Sequence, residues 1–221
     1  MDRITEPELM EDEAQARAYA QADFAEAHSA YPRLFLSEFK SVPDRAVVLD
    51  LGCGPGDVTM RFAQTFPHYE FEAVDGSAAM LDQARGLLGQ HEGMAAQIRL
   101  VQGTLPGVVL PRNTYDIILS SNLLHHLAEP NILWQTIRRY ARRDTLIFVT
   151  DLFRPPHRKA AEDLMERYAG DEPEVLRRDF FNSLLAAFTP EEIQRQLAAA
   201  QLESLAVKVI SDRHVIVAGR M

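Results

Sequence analysis

The run Val47-Val48-Leu49-Asp50-Leu51-Gly52-Cys53-Gly54-Pro55-Gly56 constrains this chain more than any other segment. Its apolar residues read as a buried strand that ends beside an acidic residue and opens into a glycine-rich loop. Gly52 and Gly54 sit where the chain leaves the sheet. Without a Cβ they admit positive φ and let a ligand touch the backbone. A second apolar run, Phe71-Glu72-Ala73-Val74-Asp75-Gly76-Ser77, also ends in an aspartate, 25 residues after Asp50. Ligands of open α/β sheets lie outside the carboxyl ends of the strands, at the switch in strand order. The two runs therefore bring two carboxylates and a glycine loop to one place.

The surrounding pattern alternates. Strands are expected at 46–51, 70–75, 97–102, 115–120 and 145–150, with helices near 57–66, 77–90 and 129–142. Such alternation predicts a parallel sheet with helices on both faces. Asp57 is expected as the N-cap of the first of these helices. Residues 8–40 read as helical, with Pro32 breaking them into two helices. After Arg154-Pro155-Pro156 come helical stretches near 157–169 and 173–187. Thr189-Pro190-Glu191-Glu192 then forms a capping box. Two last strands, 204–210 and 213–219, are joined by Ser211-Asp212, a connection short enough only for an antiparallel pair.

Composition narrows the function classes. At 221 residues and 47% hydrophobic, the chain is expected to form one domain with a real core. It holds no apolar run of membrane-spanning length. The N-terminal stretch from Met1 to Glu13 has no apolar signal region, and Cys53 is the sole cysteine, so a cytoplasmic location is expected. The net charge of −9, with the acidic cluster Glu6, Glu8, Glu11, Asp12 and Glu13, argues against nucleic-acid binding. Arg138, Arg139, Arg142 and Arg143 fall at helical spacing and are expected on one solvated face.

The glycine spacing also discriminates. A dinucleotide fingerprint needs a third glycine where Asp57 stands, and an aspartate there repels a pyrophosphate. It tolerates a ligand bearing cationic sulfonium and ammonium groups. Two further segments, Val101-Gln102-Gly103-Thr104 and Tyr115-Asp116-Ile117-Ile118-Leu119-Ser120-Ser121-Asn122-Leu123-Leu124-His125-His126-Leu127, follow in order. Together the four elements resemble the class I S-adenosylmethionine-dependent methyltransferases, closely over about residues 44–153 and more loosely over 189–219. The resemblance implies a Rossmann-like, seven-stranded, mostly parallel sheet with its last strand antiparallel. It further implies a cofactor-binding core at 44–154, an N-terminal helical cap at 1–43, a cap insertion at 155–188 and a C-terminal helix and hairpin at 189–221.

The same resemblance assigns cofactor residues. Asp50, Gly52, Cys53 and Gly54 line the first loop, and Asp75 accepts from the ribose hydroxyls, with Gly76 beside it. Met80 packs on the adenine or serves as an ordinary core residue. Gly103 is followed by Thr104 where relatives commonly carry an aspartate, so the hydroxyl accepts more weakly from the adenine amino group. Ser121 and Asn122 face the methionine part.

Methyl transfer is an in-line displacement with a neutral leaving thioether, so much of the catalysis is positioning, and a base matters only if the acceptor must lose a proton. Candidates are His126 and His125, of which at most one reaches the acceptor, and Tyr19, which would close over the cofactor or simply pack. Arg154, Tyr168 and Asn182 are candidates for holding the substrate, with a cap salt bridge and an amphipathic helix as the plainer roles. The seven histidines show no metal-ligand spacing, so no metal is expected. The reading that follows is a methyltransferase acting on a small-molecule acceptor. An RNA or protein methyltransferase, or a noncatalytic cofactor-binding regulator, are the alternatives.

Overall fold

The computed structural model describes residues 1–7, 9–22 and 24–221. Glu8 of the acidic cluster and Asp23 of the helical stretch lie outside the described residues. Chain order runs α1 (Glu13–Gln21), α2 (Ala25–Glu38), β1 (Val47–Leu51), α3 (Asp57–Thr65), β2 (Glu70–Asp75), α4 (Ala78–Gly89), α5 (Glu92–Ala95), β3 (Ile98–Gln102) and β4 (Tyr115–Ser121). A 3-10 turn at Leu124–His126 leads to α6 (Asn131–Tyr140), β5 (Ala141–Leu152), α7 (Arg158–Ala169), α8 (Glu174–Ala186), α9 (Pro190–Ala199), β6 (Ala206–Val209) and β7 (His214–Arg220).

The seven strands form one sheet in the order β3-β2-β1-β4-β5-β7-β6. Pairing is parallel from β3 through β5, and β7 runs antiparallel to both β5 and β6. Strand order reverses between β1 and β4, so their carboxyl ends frame a crevice. Alternate residues of each strand feed two cores. One holds Trp134, Leu133 and Ile137 of α6 with Ile193 and Leu197 of α9. The other holds Phe35 of α2 and Phe62 of α3 against Phe71 and Phe148 of the sheet. A third, smaller cluster joins Leu164 of α7 to Leu184 and Leu185 of α8. Among the described residues no helix is long and apolar enough to cross a membrane.

Four local expectations are corrected. The N-terminal helices part around Ala22, and Pro32 lies inside α2. An interior proline costs about 3 kcal/mol, and α2 offsets it by burying Tyr31, Pro32 and Phe35, with Phe35 meeting the Phe148 ring edge-on at 5.6 Å. α2 thus flanks the sheet, while α1 and the segment before it lie over the strand ends. Second, α3 is capped by Gly56 in the left-handed region (φ 83°), and Asp57 is the first helical residue. Third, β5 begins at Ala141, directly after α6. Its pairing with β4 slips between Tyr115 and Ile117. Residues Arg142 to Asp144 are polar and exposed, and the helix expected to reach 142 ends at Tyr140. Fourth, the four arginines are consequently split between α6 and β5 and share no helix face. The capping box at Thr189 is present, with Glu192 N–H donating to Thr189 Oγ1 at 3.2 Å and Thr189 N–H to Glu192 Oε2 at 2.8 Å.

Candidate active site

A cavity of about 540 Å³ opens at the carboxyl ends of β1, β2 and β4. Asp50, Gly52, Cys53 and Gly54 line it from the β1 loop, and Asp75, Gly76 and Met80 from the passage between β2 and α4. Gly103 and Thr104 enter after β3, and Ser121 and Asn122 at the end of β4. Sequence order is scattered, but the parallel register brings all these strand ends to one edge.

The loop is built on its own hydrogen bonds. Gly52 and Cys53 N–H groups both donate to the Val74 carbonyl, at 2.8 and 2.9 Å. Asp75 Oδ2 accepts from the Gly54 N–H and its Oδ1 from the Ser77 N–H, each at 2.8 Å. Two amides aim this carboxylate and leave it lone pairs for a ligand. Burial raises its pKa against these hydrogen bonds. Gly54 has φ +53°, and a Cβ there would meet no protein atom within 4 Å. Only open cavity lies above it, as a backbone cradle for a ligand requires.

Asp50 is fully buried, and Thr59 Oγ1 donates to its Oδ2 at 2.6 Å. Burial, aided by the neighbouring Asp75 charge, raises its pKa to about 6 despite the Thr59 bond. Asp57 pairs with His28 Nδ1 at 2.7 Å and Arg61 Nε at 3.0 Å. Burial works against its charge, but His28 and Arg61 prevail and lower its pKa. The Arg61 guanidinium also offsets its repulsion of a pyrophosphate, so the argument against a dinucleotide rests more on glycine spacing than on charge. Thr104 turns its methyl toward Gly76, where a Cβ would come within 3.0 Å of Thr104 Cγ2. Met80 is both buried and part of the wall.

The catalytic candidates separate. His126 and Tyr19 line the cavity, whereas His125 does not. His125 is buried behind the wall, its Nδ1 2.5 Å from Asp151 Oδ1. Burial opposes its protonation, but Asp151 prevails and raises its pKa. His126 shows the cavity no free nitrogen: its ring bonds to the Pro7 carbonyl, and its Nδ1 is buried 3.2 Å from Glu6 Oε1. Burial and the His125 charge depress its pKa well below the usual imidazole range. Tyr19 is pushed up by burial and by Tyr31, against its bond with Asn122, and so stays a neutral hydroxyl. Nearby, Tyr31 OH, Asn122 Oδ1 and Thr150 Oγ1 are buried without a well-formed hydrogen bond. Burial pushes the Tyr31 hydroxyl up to about 12.

The substrate candidates do not reach the cavity. Arg154 is buried and spent on Glu192 Oε1 (2.6 Å), the Ala187 carbonyl (2.8 Å) and the Met1 carbonyl (3.1 Å). Its guanidinium clamps the N-terminus and α9 to the end of β5. Tyr168 is exposed and donates to Asp212 Oδ2 at 2.8 Å. Asn182 sits half-buried on α8, away from the lining. Sequence reasoning missed Leu9, Met10, His28 and Arg61, all part of the wall. No motif marks them: Leu9 and Met10 arrive from the segment before α1 and His28 from α2, while Arg61 lies one turn beyond Asp57 on α3. Ser77 Oγ donates to the Met10 carbonyl at 2.5 Å and accepts from the Met80 N–H at 3.1 Å, joining that segment to the cap of α4.

Residues 48–144 match the family model described as a methyltransferase domain. An uncharacterized methyltransferase of Schizosaccharomyces pombe is 34% identical over 89 residues, 38% of this chain and 31% of that protein. A trans-aconitate 2-methyltransferase of Azoarcus sp. is 33% identical over 99 residues, 45% of this chain and 36% of that protein. The matched segment thus spans only about a third of the curated relatives' length. Solved structures extend the likeness of fold. A SAM-dependent methyltransferase from Aquifex aeolicus superposes with a TM-score of 0.68 at 17% identity, covering 94% of this chain and 97% of that one. The plantazolicin methyltransferase bound to a triazolic desmethylPZN analog and SAH gives 0.69 at 14% identity, covering 94% and 90%. Sequence match over residues 48–144, sheet order and a glycine loop facing an amide-held aspartate agree in their likeness to the S-adenosylmethionine-dependent methyltransferases.

Proposed function

We propose that this protein transfers the methyl group of S-adenosylmethionine to a small polar acceptor, working in the cytoplasm. The observation that carries the reading is the Asp75 carboxylate, oriented by two backbone amides beside the open Gly54 cradle. Asp75 would hold the ribose hydroxyls, Gly52 to Gly54 the methionine end, and Met80 and Thr104 the adenine. When bound, the cofactor supplies an electrophilic methyl group whose transfer leaves a neutral thioether.

The protein's share is then positioning and exclusion of water. Tyr19 and Asn122, which line the cavity, are suited to orient an acceptor bearing oxygen or nitrogen, with Tyr31 and Thr150 buried behind them. Tyr19 acts there as a neutral hydrogen-bonding group, not as a phenolate base. The segment before α1, α1 itself and the start of α2 at His28 close over the cavity, while the rest of α2 packs on the sheet. Trans-aconitate and plantazolicin, acceptors named for the relatives above, support a small-molecule substrate class.

Calorimetric titration with S-adenosylhomocysteine tests this. The parent should bind with micromolar affinity, and Asp75→Ala should lose at least about 1.4 kcal/mol, a tenfold drop. No binding by cofactor-free parent protein would overturn the proposal.

A further inference from the structure

We propose that Glu6, His125 and His126 form a site for one divalent transition-metal ion on the cavity wall. Glu6 Oε1 lies 3.2 Å from His126 Nδ1 and 3.5 Å from His125 Nε2. None of the three ligand atoms is more than 4.8 Å from another. Ligands bonded to a metal at about 2.0–2.2 Å sit roughly 3–3.5 Å apart. Both Glu6 edges already have that spacing, and only the two imidazoles need to close in.

The surroundings leave these atoms free to ligate. The Asp151 carboxylate accepts a hydrogen bond from His125 Nδ1–H and turns Nε2 toward Glu6. This carboxylate–imidazole pairing is what commonly backs a metal-bound histidine. The Pro7 carbonyl engages the His126 ring, and His126 Nδ1 is left buried with no hydrogen-bond partner. Ser183 Oγ donates to Glu6 Oε1 at 3.0 Å and steadies the carboxylate. Three lone-pair atoms facing one another need positive charge between them. A proton bridges one pair, whereas a metal ion serves all three. Asp151 and Asp179 add negative potential, while the nearby Arg3 guanidinium is committed to the His125 and Leu127 carbonyls.

Two imidazoles and one carboxylate suit zinc, cobalt, nickel or ferrous iron better than magnesium or calcium. Three protein ligands also leave a coordination position open, and His126 is part of the cavity wall. Spacing along the sequence could not reveal the set, since Glu6 reaches the histidines only because the N-terminal segment folds across the sheet edge.

The test uses tag-free, chelator-stripped protein and needs no cofactor, so its failure is separable from failure of the methyltransferase reading. Titration with Zn2+ should show one ion per chain at micromolar affinity or tighter, with no comparable binding of Mg2+. Co2+ should give visible absorption bands that Zn2+ abolishes. Glu6→Gln and His126→Gln should each weaken Zn2+ binding at least tenfold, and His68→Gln, at an exposed position outside the cluster, should not. If His126→Gln fails to fold by circular dichroism, Glu6→Gln decides alone. Absence of stoichiometric Zn2+ binding, or equal affinity in parent and cluster variants, would overturn the proposal.

Discussion

Asp50 and Asp75 end neighbouring strands of one sheet, but their surroundings give them different work. Asp75 faces the cavity and is aimed by amides. Asp50 turns inward to Thr59 and keeps a pKa near 6. A carboxyl group that binds its proton more tightly folded than unfolded contributes stability below the unfolded pKa, and loses it as pH rises through the folded one. Asp50 therefore costs the folded state on the order of 3 kcal/mol at pH 8, for a shift from 3.8 to about 6. Asp50→Asn, which can still accept from Thr59, should be more stable than the parent at pH 8 and equal to it near pH 4. Urea unfolding at the two pH values checks this, and a constant difference would refute the account. The two aspartates themselves were legible, because an acidic residue at the end of an apolar run is visible without a fold. Which of them is aimed at the ligand was not, since that depends on the amides of Gly54 and Ser77 and the hydroxyl of Thr59.

Among the elements, the loop after β1 and helix α2 offer the sharpest tests. Gly54 combines left-handed backbone with open space above it. Gly54→Ala should cost about 1 kcal/mol of stability and weaken S-adenosylhomocysteine binding further, because its methyl group enters the cradle. Loss of stability without loss of binding would show that the cradle is not used. In α2, Phe35 is fully buried between Phe39, Phe62, Phe66 and Phe148. Phe35→Ala should destabilise by about 3–5 kcal/mol, measured by denaturant unfolding, and a much smaller loss would mean that α2 does not anchor on the sheet. The helix period and strand ends were readable because they follow from local sterics. The survival of Pro32 inside α2 was not, since the aromatic packing that offsets it comes from α3 and the sheet.

For the whole molecule, the N-terminal segment is the part that joins the rest. Arg3 donates to the carbonyls of Ala186, His125 and Leu127, and its guanidinium lies 3.9 Å from the centre of the Phe188 ring. It thereby ties the turn after β4 to the end of α8, while Leu9 and Met10 reach the cavity wall. Arg3→Ala should loosen the segment and speed dissociation of S-adenosylhomocysteine several-fold, with little change in the sheet. Hydrogen exchange should show faster exchange before α1 and unchanged protection in β1 and β4. Equal dissociation rates in parent and variant would deny the segment a part in ligand retention.

The sequence by itself determined the alternating strands and helices and the residues at the strand ends, and its family resemblance implied a seven-stranded sheet with the last strand antiparallel. The elements and strand ends follow from period, turn chemistry and glycine sterics, all set by near neighbours in the chain. Only the tertiary structure decided that Arg154 is a clamp, that His125 sits behind the wall and His126 within it, and that Glu6 meets both histidines. Such meetings join residues far apart in the chain, and they are set by how the N-terminal segment, α8 and α9 pack over the edge of the sheet.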